Sequence, residues 1–244
     1  MLTHAAIMCR IMTELPIEIR RSRRARRLSA RVHLDGYVEV VVPMYAPGPI
    51  VDDFIARHRR WMDARRAERL QQWVPEPFPP PQLSLPALAE NWLVTRTTSG
   101  STRSYCSELS DRHLALHLSE QAGRAESRVL LIDWLRRYLR PHFERRLKVL
   151  ADRHGFHYDS MQLRRQRTRW GSCSRRGVIS LNLCGVFQPP EVLDYLMLHE
   201  LVHTRHMNHS ERYWRAVEAV CPSWRELDRA LTRGWQQVPQ WVFR

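Results

Sequence analysis

The chain has 244 residues, of which 43% are hydrophobic, which is enough for one large domain or two small ones with a buried core. Its formal net charge is +14, and arginine carries almost all of the positive charge because Lys148 is the only lysine. No apolar run approaches the roughly 18 residues of a membrane span, which excludes a helical membrane protein.

The charge and the cysteines indicate the partners and the compartment. A strongly positive field favours nucleic acid, nucleotides or acidic protein segments as partners, although an arginine-rich proteome would give the same excess. The five cysteines are widely scattered without CxxC spacing, as is typical of reduced thiols in a cytosol. The stretch "MLTHAAIMCRIM" lacks the basic lead-in and cleavage site of a signal peptide. We therefore expect a cytoplasmic protein with no membrane segment.

Residues 1–126 predict a β-rich region with one helix. Alternating apolar residues around Asp35-Gly36 predict a β-hairpin, and helical spacing predicts a helix over residues 49–73. Arginines between Arg20 and Arg27 would lie on the first strand of the hairpin. Their alternation with apolar residues favours a solvated strand face over a nucleic-acid contact.

The middle of the chain begins with a proline-rich segment, residues 74–82, which is typical of a stiff linker or surface loop. Short alternating runs over residues 83–118 predict further strands. A helix is predicted over residues 127–153, with a kink or division at Pro141 and an end at Gly155.

Residues 127–236 are predicted to form a second domain, followed by a C-terminal tail, residues 237–244. Within this domain "VISLN" reads as a short strand, and Pro189-Pro190 precedes a helix. Two shorter helices should begin near Asn208 and at Ser223, where "SWRE" has the form of a capping box.

The segment "HELVH" carries the strongest chemical signal. Residues four apart share one face of a helix, so His199 and His203 can bind one metal ion together. Glu200 lies about 100° round the helix from His199, where it reaches a water on the ion rather than the ion itself. Zinc lowers the pKa of such a water to about 7, so Glu200 is the predicted general base. Two ordinary helix histidines are the alternative, but a buried His–Glu–His cluster without a metal would be costly.

The third metal ligand has to be chosen between His206 and His209. On a continued helix His206 would lie about 10.5 Å along the axis from His199, and three ligands along a straight helix cannot surround one ion. Asn208 suits a left-handed turn or a helix cap, and either would break the helix before His209. We therefore predict one Zn²⁺ per chain, held by His199, His203 and His209, with a fourth position open to water.

The motifs taken together resemble a known family. "WGSC", a strand ending in Leu181-Asn182, "HELVH" and "NHS" followed by an aromatic pair occur here in the order of the YgjP-like metallopeptidase domain, a zincin family related to the SprT and WLM proteases. The resemblance implies an α+β fold, in which a zincin-like metallopeptidase core follows an N-terminal β-hairpin and helix region. It also implies the same three zinc ligands, with Glu200 as the catalytic base. Residues 74–125 are longer than this family leads us to expect, which indicates an insertion.

The resemblance also suggests residues around the reaction. In zincins a strand beside the active-site helix can pair with an extended peptide, with an ordinary sheet strand as the alternative. The candidate substrate-binding residues are therefore Ile179, Ser180, Leu181 and Asn182. Candidates for stabilising an oxyanion are Tyr213, His206 and Arg169. Cys173 is interpreted as a small buried residue rather than an extra ligand, and Trp170 and Trp214 as packing residues.

A zinc-dependent metallopeptidase acting on a protein or peptide is thus the leading hypothesis. A nucleotide or phosphate-ester hydrolase would suit the arginine excess, but the sequence has no glycine-rich phosphate loop. A DNA-associated protease of the SprT type follows from family analogy alone, and no DNA-reading motif is visible. A scaffold with an inert metal site is the last alternative.

Overall fold

The structure, a computed structural model, describes residues 17–33, 36–72, 77–98 and 100–243. The chain divides into two compact units, residues 1–76 and residues 77–244. Both units combine helices with sheets, which confirms the predicted α+β class. Among the described residues, no helix has the length and apolar character that crossing a membrane requires.

Within its described residues, the first unit contains a three-stranded sheet and one long helix. Its elements are β1 (Ile17–Ser22), β2 (Ser29–Val32), β3 (Val38–Pro43) and α1 (Gly48–Gln72). β3 is central, with β1 parallel to it on one side and β2 antiparallel on the other. Alternate valines of β3 pack against Val51 and Met62 of α1, which gives this unit a core of its own. The β2–β3 pair is the predicted hairpin, and Leu34 and Asp35 of its turn lie outside the described residues.

The placement predicted for the arginine run is wrong. Arg20 and Arg21 belong to β1, a strand that the sequence did not separate from the hairpin, and residues 23–28 form the connection from β1 to β2. Ser22 pairs with Pro43 on one side of β3 and Ser29 pairs with Val41 on the other, so this connection crosses the end of β3. The alternation that favoured a solvated strand face therefore applies to β1 alone.

The second unit begins with a four-stranded sheet and a long helix. The elements are β4 (Gln82–Leu85), β5 (Glu90–Thr98), β6 (Tyr105–Glu108), β7 (His113–Leu118) and α2 (Arg124–His154), and the strand order is β4-β5-β7-β6. Pro141 lies inside α2, which continues through it, so the predicted division of this helix is wrong. Gly155 ends α2 with a φ of 65°, a left-handed conformation that glycine adopts without a steric penalty.

The rest of this unit is a three-stranded sheet with three helices. They are β8 (Ser160–Arg164), β9 (Gly171–Cys173), β10 (Val178–Asn182), α3 (Pro190–Val202), α4 (Glu211–Val220) and α5 (Trp224–Arg233), and β10 is the central strand. Helix α3 is apolar on almost every face, as is typical of a helix buried on all sides. It contacts α2, α4, α5 and β9, and is therefore the centre of the unit.

One hydrophobic core joins all of these elements. Buried residues of β4 to β7 belong to the same cluster as those of α2 and α3, so the boundary expected at residue 126 falls inside the second unit. Within the predicted tail, residues 237–244, the side chains of Trp241 and Val242 are buried. Trp241 is 2% exposed and lies against Phe78 and Phe187. The residues around Trp241 show no helical or strand periodicity, so the sequence pattern did not predict that its side chain is buried.

The helix expected to begin near Asn208 starts later. α4 begins at Glu211, with Ser210 as its N-cap in an extended conformation. Asn208 is not among the described residues that have a positive φ, so the predicted left-handed turn at this position is wrong. The predicted break itself is present, because α3 ends at Val202 and His209 lies in the segment between the two helices.

Candidate metal centre

Three histidines meet at the C-terminal end of α3. His199 lies in the last turn, His203 is the C-cap residue, and His209 comes from the segment before α4. One ring nitrogen of each lies within 4.8 Å of the others, and the Nε2 atoms of His199 and His209 are 3.3 Å apart. Two nitrogens bound at about 2.0–2.1 Å to one tetrahedral ion would be about 3.3–3.4 Å apart. The donor set therefore fits a tetrahedral divalent metal.

A backbone hydrogen bond orients the second histidine. Nδ1 of His203 lies 2.9 Å from the carbonyl oxygen of His206, and since a carbonyl only accepts, Nδ1 carries the proton. Nε2 of His203 then keeps its lone pair for a metal, an arrangement that is usual for metal-binding histidines. His206 thus contributes its main chain to the site, whereas the imidazole that joins the pair is that of His209.

A tyrosine and an aspartate orient the first histidine. The hydroxyl of Tyr195 donates to Oδ1 of Asp228 at 2.8 Å, and its oxygen lies 3.4 Å from Nδ1 of His199. Because the hydroxyl proton points to the carboxylate, the tyrosine oxygen accepts from Nδ1–H of His199. The relay from Asp228 through Tyr195 thus places the free lone pair of His199 on Nε2, the atom that faces His209.

Burial favours the neutral form of two of the three imidazoles, those of His199 and His203. It is the main cause that lowers the pKa of His199 to about 3, and the neighbouring His203 and His209 contribute to this shift. Burial also lowers the pKa of His203, although its hydrogen bond to the backbone of His206 opposes this. Neutral imidazoles are the form that binds a metal, so no proton has to be removed first at neutral pH.

Glu200 is buried beside β9. Its side chain is 4% exposed, and its Oε2 has no hydrogen-bond partner among the described residues. Burial raises the pKa of Glu200 to about 8, and the charge of Arg169 opposes this. A Cβ atom added at Gly171 would lie 2.4 Å from Oε1 of Glu200, so this carboxylate occupies the space that a side chain at position 171 would need. An unpartnered buried carboxylate oxygen next to three convergent imidazoles is a typical feature of a catalytic site.

Aromatic rings hold the histidines from the other side. The ring of Tyr213 stacks on His203 with a centroid distance of 4.5 Å, and its hydroxyl donates to the carbonyl oxygen of His199 at 3.2 Å. Trp214 stacks on His209 and on Trp224. The hydroxyl of Tyr213 is therefore committed to the backbone of α3, which leaves Arg169 as the oxyanion candidate with a charge near Glu200.

The strand predicted to bind substrate lies in the middle of its sheet. β10 is paired with β8 on one edge and with β9 on the other. Its Ile179 and Leu181 are fully buried, and Ser180 pairs with Ser172 of β9. Asn182 donates from Nδ2 to the carbonyl oxygens of Gln166 and Arg169, and its Oδ1 accepts from the backbone N–H of Cys184. Both edges of β10 thus have partners within the chain.

The remaining predicted residues lie close by. Cys173 is half-buried on β9, and burial raises the pKa of its thiol to about 11, with the Glu200 carboxylate adding to the effect. This thiol stays protonated at neutral pH, as expected for a small packing residue. Trp170 is 9% exposed and stacks on Trp235 with a centroid distance of 4.1 Å, which agrees with a packing role.

Comparison with known proteins now decides the family. The profile of the YgjP-like metallopeptidase domain matches residues 26–234. The chain belongs to this family. It is accordingly a metal-dependent peptidase and a hydrolase, and the family implies a divalent metal, which the three histidines of this member could bind.

A solved metallopeptidase structure is similar to part of this chain. The crystal structure of the metallopeptidase zymogen of Pyrococcus abyssi abylysin is 28% identical to this chain and covers 37% of it. That match covers 93% of the abylysin chain, with a TM-score of 0.34. No curated protein matches the chain.

Three residues of the site were not assigned a role from the sequence. Tyr195 lies four residues before His199 on the same helix, so its spacing could have indicated the contact. Gly171 was noted only as part of the "WGSC" motif. The structure shows why position 171 has no side chain, since Glu200 occupies the space that a Cβ atom would need. Asp228 carries no local signal, because it reaches the site from α5 through the tertiary fold.

Replacing Gly171 tests the placement of Glu200. The new Cβ in Gly171→Ala would lie within 2.8 Å of Cγ and Cδ of Glu200 as well as close to Oε1, so the whole side chain has to move. We expect peptide hydrolysis to fall by about 10²-fold or more, because small displacements of a catalytic group have effects of this size. Metal content, measured by mass spectrometry, should stay unchanged. Gly100→Ala, whose Cβ meets no atom within 4 Å, is the control and should keep full activity.

Removing the hydroxyl of Tyr195 tests the relay to His199. Tyr195→Phe should weaken divalent-metal affinity about 10- to 100-fold, because a metal ligand then loses the group that orients it. Competition with a chromophoric chelator measures this affinity without any assay of hydrolysis. Tyr138→Phe is the matched control, since it removes another 2.8 Å tyrosine–carboxylate hydrogen bond, to Glu90. Equal metal affinities in the two variants would contradict the relay.

Proposed function

We propose that the chain is a zinc-dependent peptidase with Glu200 as its general base. The observation that supports this most strongly is the approach of three imidazoles to one point, with the buried Glu200 next to His199 in the same helix. All the ligands in this set are nitrogens, and imidazole is a preferred zinc ligand. A zinc ion held by His199, His203 and His209 would supply a Lewis acid that polarises the scissile carbonyl and acidifies water.

The proton transfers are assigned to Glu200. Its carboxylate would take a proton from the attacking water and then give it to the leaving amide nitrogen. Burial against Gly171 holds the side chain in one place. The low polarity around it raises its pKa to about 8, which favours the protonated form at neutral pH, and the charge of a bound zinc ion would favour the carboxylate that the base requires. Arg169, whose charge acts on Glu200, is the candidate for offsetting the negative charge that develops on the substrate oxygen.

We further propose that an extended substrate pairs with β9 rather than with β10. Within the described residues, β9 is paired on one edge only, through Cys173, Ser172 and Gly171 opposite Ile179, Ser180 and Leu181. Its other edge offers backbone groups for strand addition. Gly171 at the start of this strand adjoins Glu200, which would bring the backbone of a bound peptide to the carboxylate. β9 would then lie between the substrate strand on one edge and β10 on the other.

Metal analysis tests the ligand set. The purified protein should carry about one zinc ion per chain, as expected for a three-histidine site. His209→Ala should lose this zinc on dialysis, whereas His206→Ala should keep it, because His206 contributes a backbone carbonyl that alanine retains. Inductively coupled plasma mass spectrometry measures the zinc content of the unchanged chain, of His209→Ala and of His206→Ala. Loss of zinc in His206→Ala with retention in His209→Ala would reverse the assignment.

Substitution of Glu200 tests the mechanism. Glu200→Gln keeps the shape but cannot accept a proton, so we expect the rate of hydrolysis of an unfolded protein such as casein to fall about 10²- to 10⁴-fold. Zinc content should not change. Glu191→Gln, an exposed substitution on the same helix, is the control. If Glu200→Gln were as active as this control, Glu200 would not be the base, and release of phosphate from nucleotides would be the next activity to assay.

A further inference from the structure

Two connections meet at one end of the sheet in the first unit. The β1–β2 connection, residues 23–28, crosses the end of β3, and the β3–α1 connection, residues 44–47, starts there. The guanidinium of Arg21, on β1, donates to the carbonyl oxygens of Met44 and Ala46 at 3.0 and 2.9 Å, which ties β1 to the β3–α1 connection. We call this region the sheet-end surface. It encloses a groove of about 720 Å³ whose lining residues are Arg23, Ala25, Leu28, Pro43, Met44, Tyr45, Ala46, Pro47 and Ile50.

The sheet-end surface carries positive charge that no carboxylate offsets. Its exposed arginines are Arg23, Arg24, Arg26 and Arg27, and none of them forms an ion pair within the part of the chain that the structure describes. Residues 40–51 contain no acidic side chain, and the first turn of α1 has none either. A local excess of four guanidinium groups attracts a polyanion.

The arginines of α1 show the contrast. Arg57 pairs with Asp53, Arg59 with Asp63 and Arg65 with Glu68, each within one turn of the helix. Helix arginines with such partners are typical of a solvated surface. Unlike these three helix arginines, the four arginines of the sheet-end surface lie within residues 23–27 and form no ion pair among the described residues.

An exposed aromatic ring distinguishes the kind of polyanion. Tyr45 is 88% exposed and lies beside the apolar groove, at whose edge Ile50 is 49% exposed. The carboxylates of an acidic peptide would satisfy the arginines but give no role to the exposed ring of Tyr45. A nucleic-acid duplex has its bases stacked inside, so it would leave the tyrosine uncovered too. A single strand offers phosphates that can contact the arginines and unpaired bases that can stack on Tyr45, so it matches both features of the surface.

We propose that the sheet-end surface binds single-stranded nucleic acid. Phosphates contact Arg23, Arg24, Arg26 and Arg27, and an unpaired base stacks on the ring of Tyr45. Arg21 holds the β3–α1 connection, which carries Tyr45, to the end of β1 that leads into the arginine-bearing connection. This interaction does not depend on the metal centre or on peptide hydrolysis, since all of its residues belong to the first unit.

Fluorescence anisotropy of a short fluorescein-labelled oligothymidylate with the full chain tests the proposal. Four phosphate contacts predict a slope of about −3 for log K against log salt, which is about a 50-fold loss of affinity between about 50 and about 200 mM sodium chloride. Replacing the four arginines by glutamine should abolish binding. Tyr45→Ala should weaken binding to the single strand about 5- to 150-fold while leaving the weaker binding to a duplex unchanged.

A second quadruple variant controls for net charge. Changing Arg57, Arg59, Arg60 and Arg65 of α1 to glutamine removes the same charge from exposed positions and should leave oligothymidylate binding within a few-fold of the unchanged chain. Equal losses in the two quadruple variants would overturn the proposal in favour of unspecific attraction. Displacement of the oligonucleotide by polyglutamate at a lower charge concentration would overturn it in favour of an acidic protein partner. Circular dichroism spectra and thermal unfolding curves show whether each variant is folded.

Discussion

The metal centre depends on the end of α3 directly after Val202. A continuous helix can offer two histidines to one ion but not three, because its residues rise along the axis while a tetrahedral ion needs ligands from different directions. The backbone N–H groups of Thr204, Arg205 and His206 close the helix onto the carbonyls of Leu201 and Val202. The chain then turns back, and His209 arrives 3.3 Å from His199. The negative end of the helix dipole lies at the same place and favours a cation there.

The two faces of α3 provide two chemical environments within one turn. His199 faces other imidazoles and the Tyr195 hydroxyl, and these contacts with burial keep it neutral. Glu200 faces β9, where the absent side chain of Gly171 leaves room for a carboxylate and the low polarity raises its pKa. A helix that is apolar nearly all round makes this separation possible, because burial shields the two groups from solvent.

The two units differ in the chemistry they carry. The second unit contains all the residues of the metal centre within one hydrophobic core, and the first unit has a small core of its own and the unpaired arginines of the sheet-end surface. A metal-dependent peptidase needs a cleft and a metal ion, but its chemistry does not require a cluster of guanidinium groups without acidic partners. The proposed single-strand binding would therefore add a partner that the hydrolytic chemistry does not require.

The sequence alone determined the features that depend on neighbours along the chain. Helical spacing places His199 and His203 on one face, Gly155 ends α2, and the break before His209 follows from the geometry that three ligands need. The tertiary structure decided which strands are neighbours and which distant side chains meet. In the structure β10 lies between two strands, and Asp228 accepts a hydrogen bond from Tyr195. Trp241 is buried in the core, and Arg23 lies in a connection rather than in a strand. These features depend on contacts between residues far apart in the sequence, and local periodicity contains no information about such contacts.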